Sequence, residues 1–217
     1  RQMCIRDRHS PYSKRSMAED MREVMRKLGY KTFAVAGHDR GGRVAHRMAR
    51  DYPDTITHLA LLDIVPTLAM YEKTDKKFAS SYYHWFFLIQ PSPFPETLIK
   101  RDPEFFLKHK TNHWGRTAGA ITDEAFSEYL RCFSDPRTIH ASCEDYRASA
   151  SIDLEHDQND FLKKSEMPVL VLWGDAGFVG QNYNVICEWK AVAADVQGHS
   201  VPGGHFLAEE APNETAE

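Results

Sequence analysis

Phe33-Ala34-Val35-Ala36-Gly37-His38-Asp39-Arg40-Gly41-Gly42-Arg43 passes from an apolar run through a glycine-flanked charged turn into a helix-forming segment, with Asp39 at the tip of the turn. The spacing Gly37-x-Asp39-x-Gly41 is that of a nucleophile elbow, where small flanking residues let strand and helix approach while the central side chain is held strained and exposed. A carboxylate at the tip is already ionised at pH 7 and cannot be activated by losing a proton, so it suits displacement at carbon rather than direct acyl transfer. Glycine-rich strand-to-helix turns also bind phosphates, but a carboxylate at the tip would repel that ligand. Further along, Asp63 and Asp175 each end an apolar stretch, and His205 follows two glycines. An acid at a strand end and a histidine on a loop can together activate water.

Parallel strands must carry these groups to one edge. Residues 31–36 read as a short strand buried on both faces of a parallel sheet, residues 41–50 as the helix behind the elbow, and Pro53 closes that helix. Ile56 to Leu62 repeats the buried-strand pattern and delivers Asp63; residues 168–175 repeat it again and deliver Asp175. Open α/β sheets place their ligands at the C-terminal ends of such strands. Ahead of the elbow, Ser16 with Glu19 reads as a capping box, and Met17, Met21, Val24, Met25 and Leu28 recur at helical spacing until Gly29. Residues 184–194 read as a helix before the histidine turn, which is taken as a mobile glycine loop.

Between the strands that end at Asp63 and Asp175 the character changes. Helical patterns at 103–109, 123–133 and 137–151 follow one another without a credible strand, and Tyr82-Tyr83-His84-Trp85-Phe86-Phe87 is too aromatic for a solvated surface. The expected division is a hydrolytic core over 9–67, an all-helical cap over 68–160 that closes on the sheet edge, and the rest of the core over 161–217. Packing within the cap explains Phe86 and Phe87, whereas His84 and Trp85 carry N–H donors that could face a ligand.

Composition narrows the partners. With 42% hydrophobic residues and a net charge of −4, the 217 residues can bury a full core but offer no basic field for nucleic acid. No apolar run approaches the roughly 20 residues that span a bilayer. Cys4, Cys132, Cys143 and Cys187 lack paired spacing, which suits reduced thiols in a cytoplasm. The histidines show no His-Glu-x-x-His pattern, so neither a metal nor another cofactor is expected. Residues 1–8 show no periodicity and read as foreign sequence ahead of a chain that starts partway through a domain.

Elbow, acid and histidine occur in the chain order of the α/β-hydrolase arrangement, a mostly parallel sheet with a helical cap insertion. The chain resembles one branch of that class, the fluoroacetate (haloacetate) dehalogenases. The resemblance is carried by Gly37-His38-Asp39-Arg40-Gly41-Gly42-Arg43, Leu62-Asp63-Ile64-Val65-Pro66-Thr67, Tyr83-His84-Trp85-Phe86-Phe87, Cys143-Glu144-Asp145-Tyr146-Arg147 and Gly203-Gly204-His205, and spans nearly all of the chain after His9. It implies Asp39 as nucleophile, His205 as base and Asp63 as the acid that orients it. Residue pattern alone leaves Asp175 open for that last part. It further implies Arg40 and Arg43 as the grip on a substrate carboxylate, and His84, Trp85 and Tyr146 as a halide pocket. Related epoxide hydrolases and haloalkane dehalogenases usually carry tryptophan where Arg40 stands.

Two departures accompany the resemblance. The His-Gly-rich loop that such enzymes place before the elbow is absent together with the opening strands of the sheet, and the C-terminal helix is short. The implied partners are a small haloacid and water, with room for a homodimer. Two other readings use the same residues. An epoxide hydrolase shares nucleophile and histidine and would draw its acid from Tyr82, Tyr83 or Tyr146; a non-catalytic receptor would only bind a small ligand under the cap.

Overall fold

The computed structural model describes residues 9–217, so the foreign-looking opening at 1–8 lies outside the described residues. Ser13 caps the first helix, α1 (Lys14–Lys27), its hydroxyl accepting from the Ser16 N–H at 3.2 Å. The expected capping box is therefore misplaced by one turn. Lys14 is drawn into buried ion pairs with Asp145 and Asp153, which starts the helix earlier; Ser16 donates to the Ser10 carbonyl and Glu19 pairs with Arg22 instead. Gly29 ends the segment in the left-handed region at φ 92°. Of the apolar stripe, Met21, Val24 and Leu28 face solvent among the described residues.

The strands and helices then alternate: β1 (Phe33–His38), α2 (Asp39–Asp51) and β2 (Ile56–Leu62) form a parallel unit whose crossover is the elbow helix. Eight helices follow, α3 (Thr67–Glu72), α4 (Lys76–Ser81), α5 (Tyr83–Leu88), α6 (Phe94–Arg101), α7 (Pro103–Trp114), α8 (Asp123–Phe133), α9 (Pro136–Ser149) and α10 (Ile152–Asn159), before β3 (Val169–Gly174) returns to the sheet. The chain closes with α11 (Phe178–Asn182), α12 (Val185–Lys190), β4 (Val196–Val201), α13 (Leu207–Glu210) and α14 (Pro212–Ala216). The helix expected over 184–194 stops at Lys190 because the chain beyond it bonds Ser165 through Val192 and Ala194, both at 2.9 Å.

Among the described residues the sheet is four-stranded and all parallel, in the order β1-β2-β3-β4. Burial on both faces does not hold along its length. Ala34, Ala36, His58 and Leu170 are exposed, and they line an open groove that no described helix covers. The core runs without a break from Leu59, Leu61 and Val171 in the sheet to Phe78, Trp85, Ile139 and Tyr146 in the helical region.

Helix α2 can follow β1 this closely only because Gly37 and Gly42 face each other. A Cβ on Gly37 would stand 2.5 Å from the Gly41 carbonyl oxygen, and one on Gly42 would stand 2.9 Å from that of Gly37, whereas one on Gly41 meets nothing within 4 Å. Gly37→Ala is expected to lower Tm by several degrees, since about 1 kcal/mol shifts Tm by roughly 2–4 °C at this size. Gly41→Ala should leave it level or raise it, given the roughly 0.5–1 kcal/mol that alanine gains over glycine inside a helix. Thermal unfolding of the two variants by circular dichroism checks the contrast.

Candidate active site

Strand register decides where the two acids meet. His38 pairs with Leu62 across β1 and β2, and Leu62 with Leu172 across β2 and β3, so Asp39 and Asp63 each stand one residue past the end of adjacent strands. Both hold left-handed backbone, at φ 47° and 49°. Residues other than glycine keep that conformation where the surroundings over-determine it. At Asp63 they do: its N–H bonds the Leu172 carbonyl at 2.7 Å, its Oδ1 accepts from Gly174 at 3.1 Å, and Trp189 Nε1 holds the next carbonyl, Ile64, at 2.9 Å.

His205 reaches this edge from the turn after β4. Its Nδ1 lies 2.7 Å from Asp63 Oδ2 and its Nε2 lies 3.7 Å from Asp39 Oδ2. The expected mobile glycine loop is instead a tied one. Glu210 accepts the backbone N–H groups of Gly204 and Phe206 on the histidine turn and of Arg116 and Thr117 across the gap, at 2.7–3.0 Å. The His205 N–H donates to the Trp114 carbonyl at 3.1 Å, and the His205 carbonyl lies 2.7 Å from His38 Nε2. Asp175, the other acid at a strand end, accepts from the Gly203 N–H at 3.2 Å; it serves the turn's backbone, not the imidazole.

The charges reinforce one another. Burial disfavours the charged imidazole, but Asp39 and Asp63 outweigh it and raise His205 to about 10. Burial likewise pushes the Asp39 carboxyl up, and His205 overrides it, with His38 and Arg40, to hold it well below the usual carboxylate range. Each of the two thus favours the charged form of the other, His205 as the cation and Asp39 as the anion.

Asp39 opens into a cavity of about 530 Å³, with Arg40, His84, Trp114 and Tyr146 among its walls. Arg40 spends Nε and Nη2 on Asp145 and Ser149 and stacks on the Tyr146 ring at 4.2 Å, which leaves its buried Nη1 without an acceptor. Lys14 braces this arrangement from beneath, bonding Asp145, Ser149 at 3.2 Å and Asp153 at 3.4 Å. His84 is buried and kept neutral by desolvation and by nearby Lys110, and its Nδ1 has no acceptor. Desolvation also holds the Tyr146 phenol well above its ordinary value, hence protonated.

The expected residues are thus divided. Asp39, Arg40, His84 and Tyr146 face the cavity, and His205 and Asp63 stand behind Asp39. Arg43 and Trp85 do not line it. Arg43 is buried, with Nη1 bonded to the Val65 carbonyl at 3.1 Å and Thr67 Oγ1 at 2.9 Å and with Nε unpaired; Trp85 packs against Phe78 and Tyr71 beneath that guanidinium. Sequence reasoning missed Trp114, whose ring lies 4.6 Å from His84 and 5.5 Å from His205 and whose Nε1 is buried and unpaired. It also missed Asp145 as the brace of Arg40, although Asp145 adjoins Tyr146 in a motif the resemblance already used.

One grouping could hold a metal. Donor atoms of Glu96, His140 and Glu144 lie within 4.8 Å of one another, which spacing could not foretell because Glu96 is on α6 and the others on α9. Arg147 Nη1 lies 2.7 Å from each of the two carboxylates, so a guanidinium already occupies their charge.

Asn in place of Asp39 keeps the shape of the carboxylate and removes its charge, as an ester on that oxygen would. Opposite charges at about 4 Å interact by about 4 kcal/mol at an effective dielectric near 20, so the His205 midpoint should fall by at least about one pH unit in Asp39→Asn. Titration of the imidazole by NMR in the two proteins measures it. An unchanged midpoint would mean that Asp63 alone holds the proton.

Comparison with known proteins agrees with this geometry. A family model described as the alpha/beta hydrolase fold matches residues 1–212. A fluoroacetate dehalogenase from Burkholderia sp is 44% identical over 209 residues, 96% of this chain and 69% of that protein. A soluble epoxide hydrolase from Corynebacterium sp. is 32% identical over 211 residues, 93% of this chain and 70% of that protein. The crystal structure of an alpha/beta hydrolase from Nostoc superposes with a TM-score of 0.94 at 57% identity, over 95% of this chain and 71% of that one. With sheet, elbow, acid and histidine in their places, the chain belongs to the α/β-hydrolase family.

Proposed function

We propose that the protein hydrolyses short 2-haloacids such as fluoroacetate to the 2-hydroxy acid and halide, through an ester on Asp39. The observation that carries this reading is Arg40, a guanidinium next to the nucleophile that lines an otherwise largely apolar cavity and whose buried Nη1 has no acceptor of its own. An anionic substrate supplies that acceptor, and its neutralisation removes the repulsion a carboxylate nucleophile would otherwise meet. Arg43, with Nε unpaired directly behind, adds to the same field. The 44% identity to a fluoroacetate dehalogenase points the same way.

In the first step an Asp39 oxygen attacks the halogen-bearing carbon from behind; the C–O bond forms, the C–halogen bond breaks and the electron pair leaves as halide. Donors from His84 and Tyr146, and from Trp114 beside them, replace the water that a departing halide loses. Esterification removes the Asp39 charge and with it much of what holds the proton on His205; that proton passes to solvent and the imidazole becomes a base. His205, still oriented by Asp63, then takes a proton from water as its oxygen attacks the ester carbonyl. The Arg40 N–H, in the first turn of α2 and free of intrahelical bonding, holds the oxyanion. Collapse breaks the ester C–O bond, His205 gives its proton to the departing alkoxide to complete the 2-hydroxy acid, and Asp39 returns to a carboxylate by passing its proton back to His205.

A second reading, epoxide hydrolysis, draws on the Corynebacterium relative and on Tyr146, a protonated phenol at the cavity wall. Halide release from haloacetates, against diol formation from epoxides, separates the two. The setting we propose is cytoplasmic, in keeping with the free thiols Cys132, Cys143 and Cys187; no helix among the described residues is long and apolar enough to cross a membrane.

Because His205 is needed only after the ester forms, His205→Asn should release about one equivalent of halide per site and then stall, leaving an adduct on the Asp39 peptide visible by mass spectrometry. Neither burst nor adduct would rule out the two-step scheme. Fluoride depends most on replacement donors, each worth about 1.5–3 kcal/mol or roughly one to two powers of ten in rate. Tyr146→Phe should therefore slow fluoroacetate far more than chloroacetate or bromoacetate, whereas Arg40→Lys slows all three alike. Parallel rates on the three acids decide it, and equal losses across halogens would return Tyr146 to packing.

A further inference from the structure

Lys110, on α7, is only 8% exposed and lines the same cavity as Asp39 and Arg40. Its ammonium stands 3.9 Å from the ring centroid of Tyr83, 4.9 Å from that of Trp114 and 5.5 Å from that of Phe106. Among the described residues no carboxylate, carbonyl or hydroxyl accepts a hydrogen bond from it. Lys14, buried to a similar degree, is surrounded by Asp145, Ser149 and Asp153. Lysines this deeply buried are rarely left without an anion, and ring faces replace only part of the hydration that an ammonium loses. Desolvation accordingly pushes Lys110 down to about 7, which keeps a large share of it charged at neutral pH.

Two further side chains with an unpartnered polar atom line the same cavity, Trp114 and His84. Trp114 follows Lys110 by one helical turn, which puts both on one face of α7, and its buried Nε1 has no acceptor; neither has Nδ1 of His84, whose ring is 4.6 Å from that of Trp114. An ammonium and an indole N–H on one helix face, neither with a protein acceptor, form the complement of a small anion.

We propose that Lys110 and Trp114 form an anion site on the helical side of the cavity, separate from the Arg40 grip, that takes a small monoanion such as a halide or a short carboxylate. In the reaction proposed above, such a station would hold the incoming acid before it reaches Arg40 or the halide after it leaves carbon. That role rests on the dehalogenase reading, whereas the binding itself does not.

Neither bromide nor acetate can be turned over, so binding is read without chemistry, and Arg40→Gln removes the share of acetate that sits on the Arg40 grip. The protein is titrated with potassium bromide and separately with sodium acetate, at constant ionic strength and at a pH below the Lys110 midpoint, following tryptophan fluorescence. Saturable quenching is expected in the wild type and in Lys110→Arg, with affinity lower by about tenfold or more in Lys110→Met, while Arg40→Gln keeps saturable quenching, its bromide affinity close to wild type. Saturation by bromide alone assigns a halide station, by acetate alone a carboxylate station, and by both a shared one. A measurement on the unaltered protein stands beside the variants: saturating bromide or acetate should slow carbamylation of Lys110 by cyanate relative to exposed Lys108, read by peptide mass spectrometry. Wild-type affinity in Lys110→Met, loss of binding in Arg40→Gln alone, or carbamylation indifferent to both anions would overturn the proposal and leave Lys110 as a packing element held by aromatic rings.

Discussion

Two adjacent parallel strands that end in register set everything else at this site. Because His38 lies opposite Leu62, the residues that follow them, Asp39 and Asp63, emerge side by side, and each turns left-handed at once. One imidazole can then lie between both carboxylates, and their joint field is what raises His205 to about 10 against the cost of its burial. The same constraint explains the glycines. A helix that starts on the residue after a strand leaves no room for a Cβ at Gly37 or Gly42, so the backbone there is specified by close approach more than by turn preference.

The buried charges form a second layer of organisation. Arg40 is not free to seek a substrate, because Asp145, Ser149 and the Tyr146 ring fix two edges and one face of its guanidinium. Asp145 is shared with Lys14 on the first helix, and Lys14 with Asp153. Removing one member of such a network leaves an uncompensated charge in a low dielectric, which costs far more than the pair contributes when intact. The network thus links α1, the elbow helix and α9 to the orientation of one N–H.

How much of this the sequence disclosed depended on how local the signal was. Asp39, Asp63 and His205 were legible because elbow spacing and strand ends are short-range patterns. So was the helical character of the region between β2 and β3. Asp175 looked equal to Asp63 because both end strands; only the path of the turn, with Gly203 bonded to Asp175, separates them. Ser16 looked like the cap because nothing near Lys14 foretells Asp145, 131 residues away, or Asp153, 139 residues away. Trp114 carried no motif, and Arg43 and Trp85 were read as ligand-facing because a type and a position do not give a direction. The double-sided burial expected of β1 fails for a related reason, since an apolar run states that a face can be covered and not that it is.

Glu210 deserves its consequence. One carboxylate holds four backbone N–H groups, two on the histidine turn and two on the loop after α7, and burial has not kept it from being ionised. Hydrogen bonds to a charged acceptor are worth about 1.5–3 kcal/mol each, so the end of α7 and the imidazole move as one body. A lid that swung open here would carry His205 away from Asp39 with every cycle. The histidine turn and the loop after α7 are thus fastened to one another by a carboxylate that takes no part in the pairing of His205 with Asp39 and Asp63.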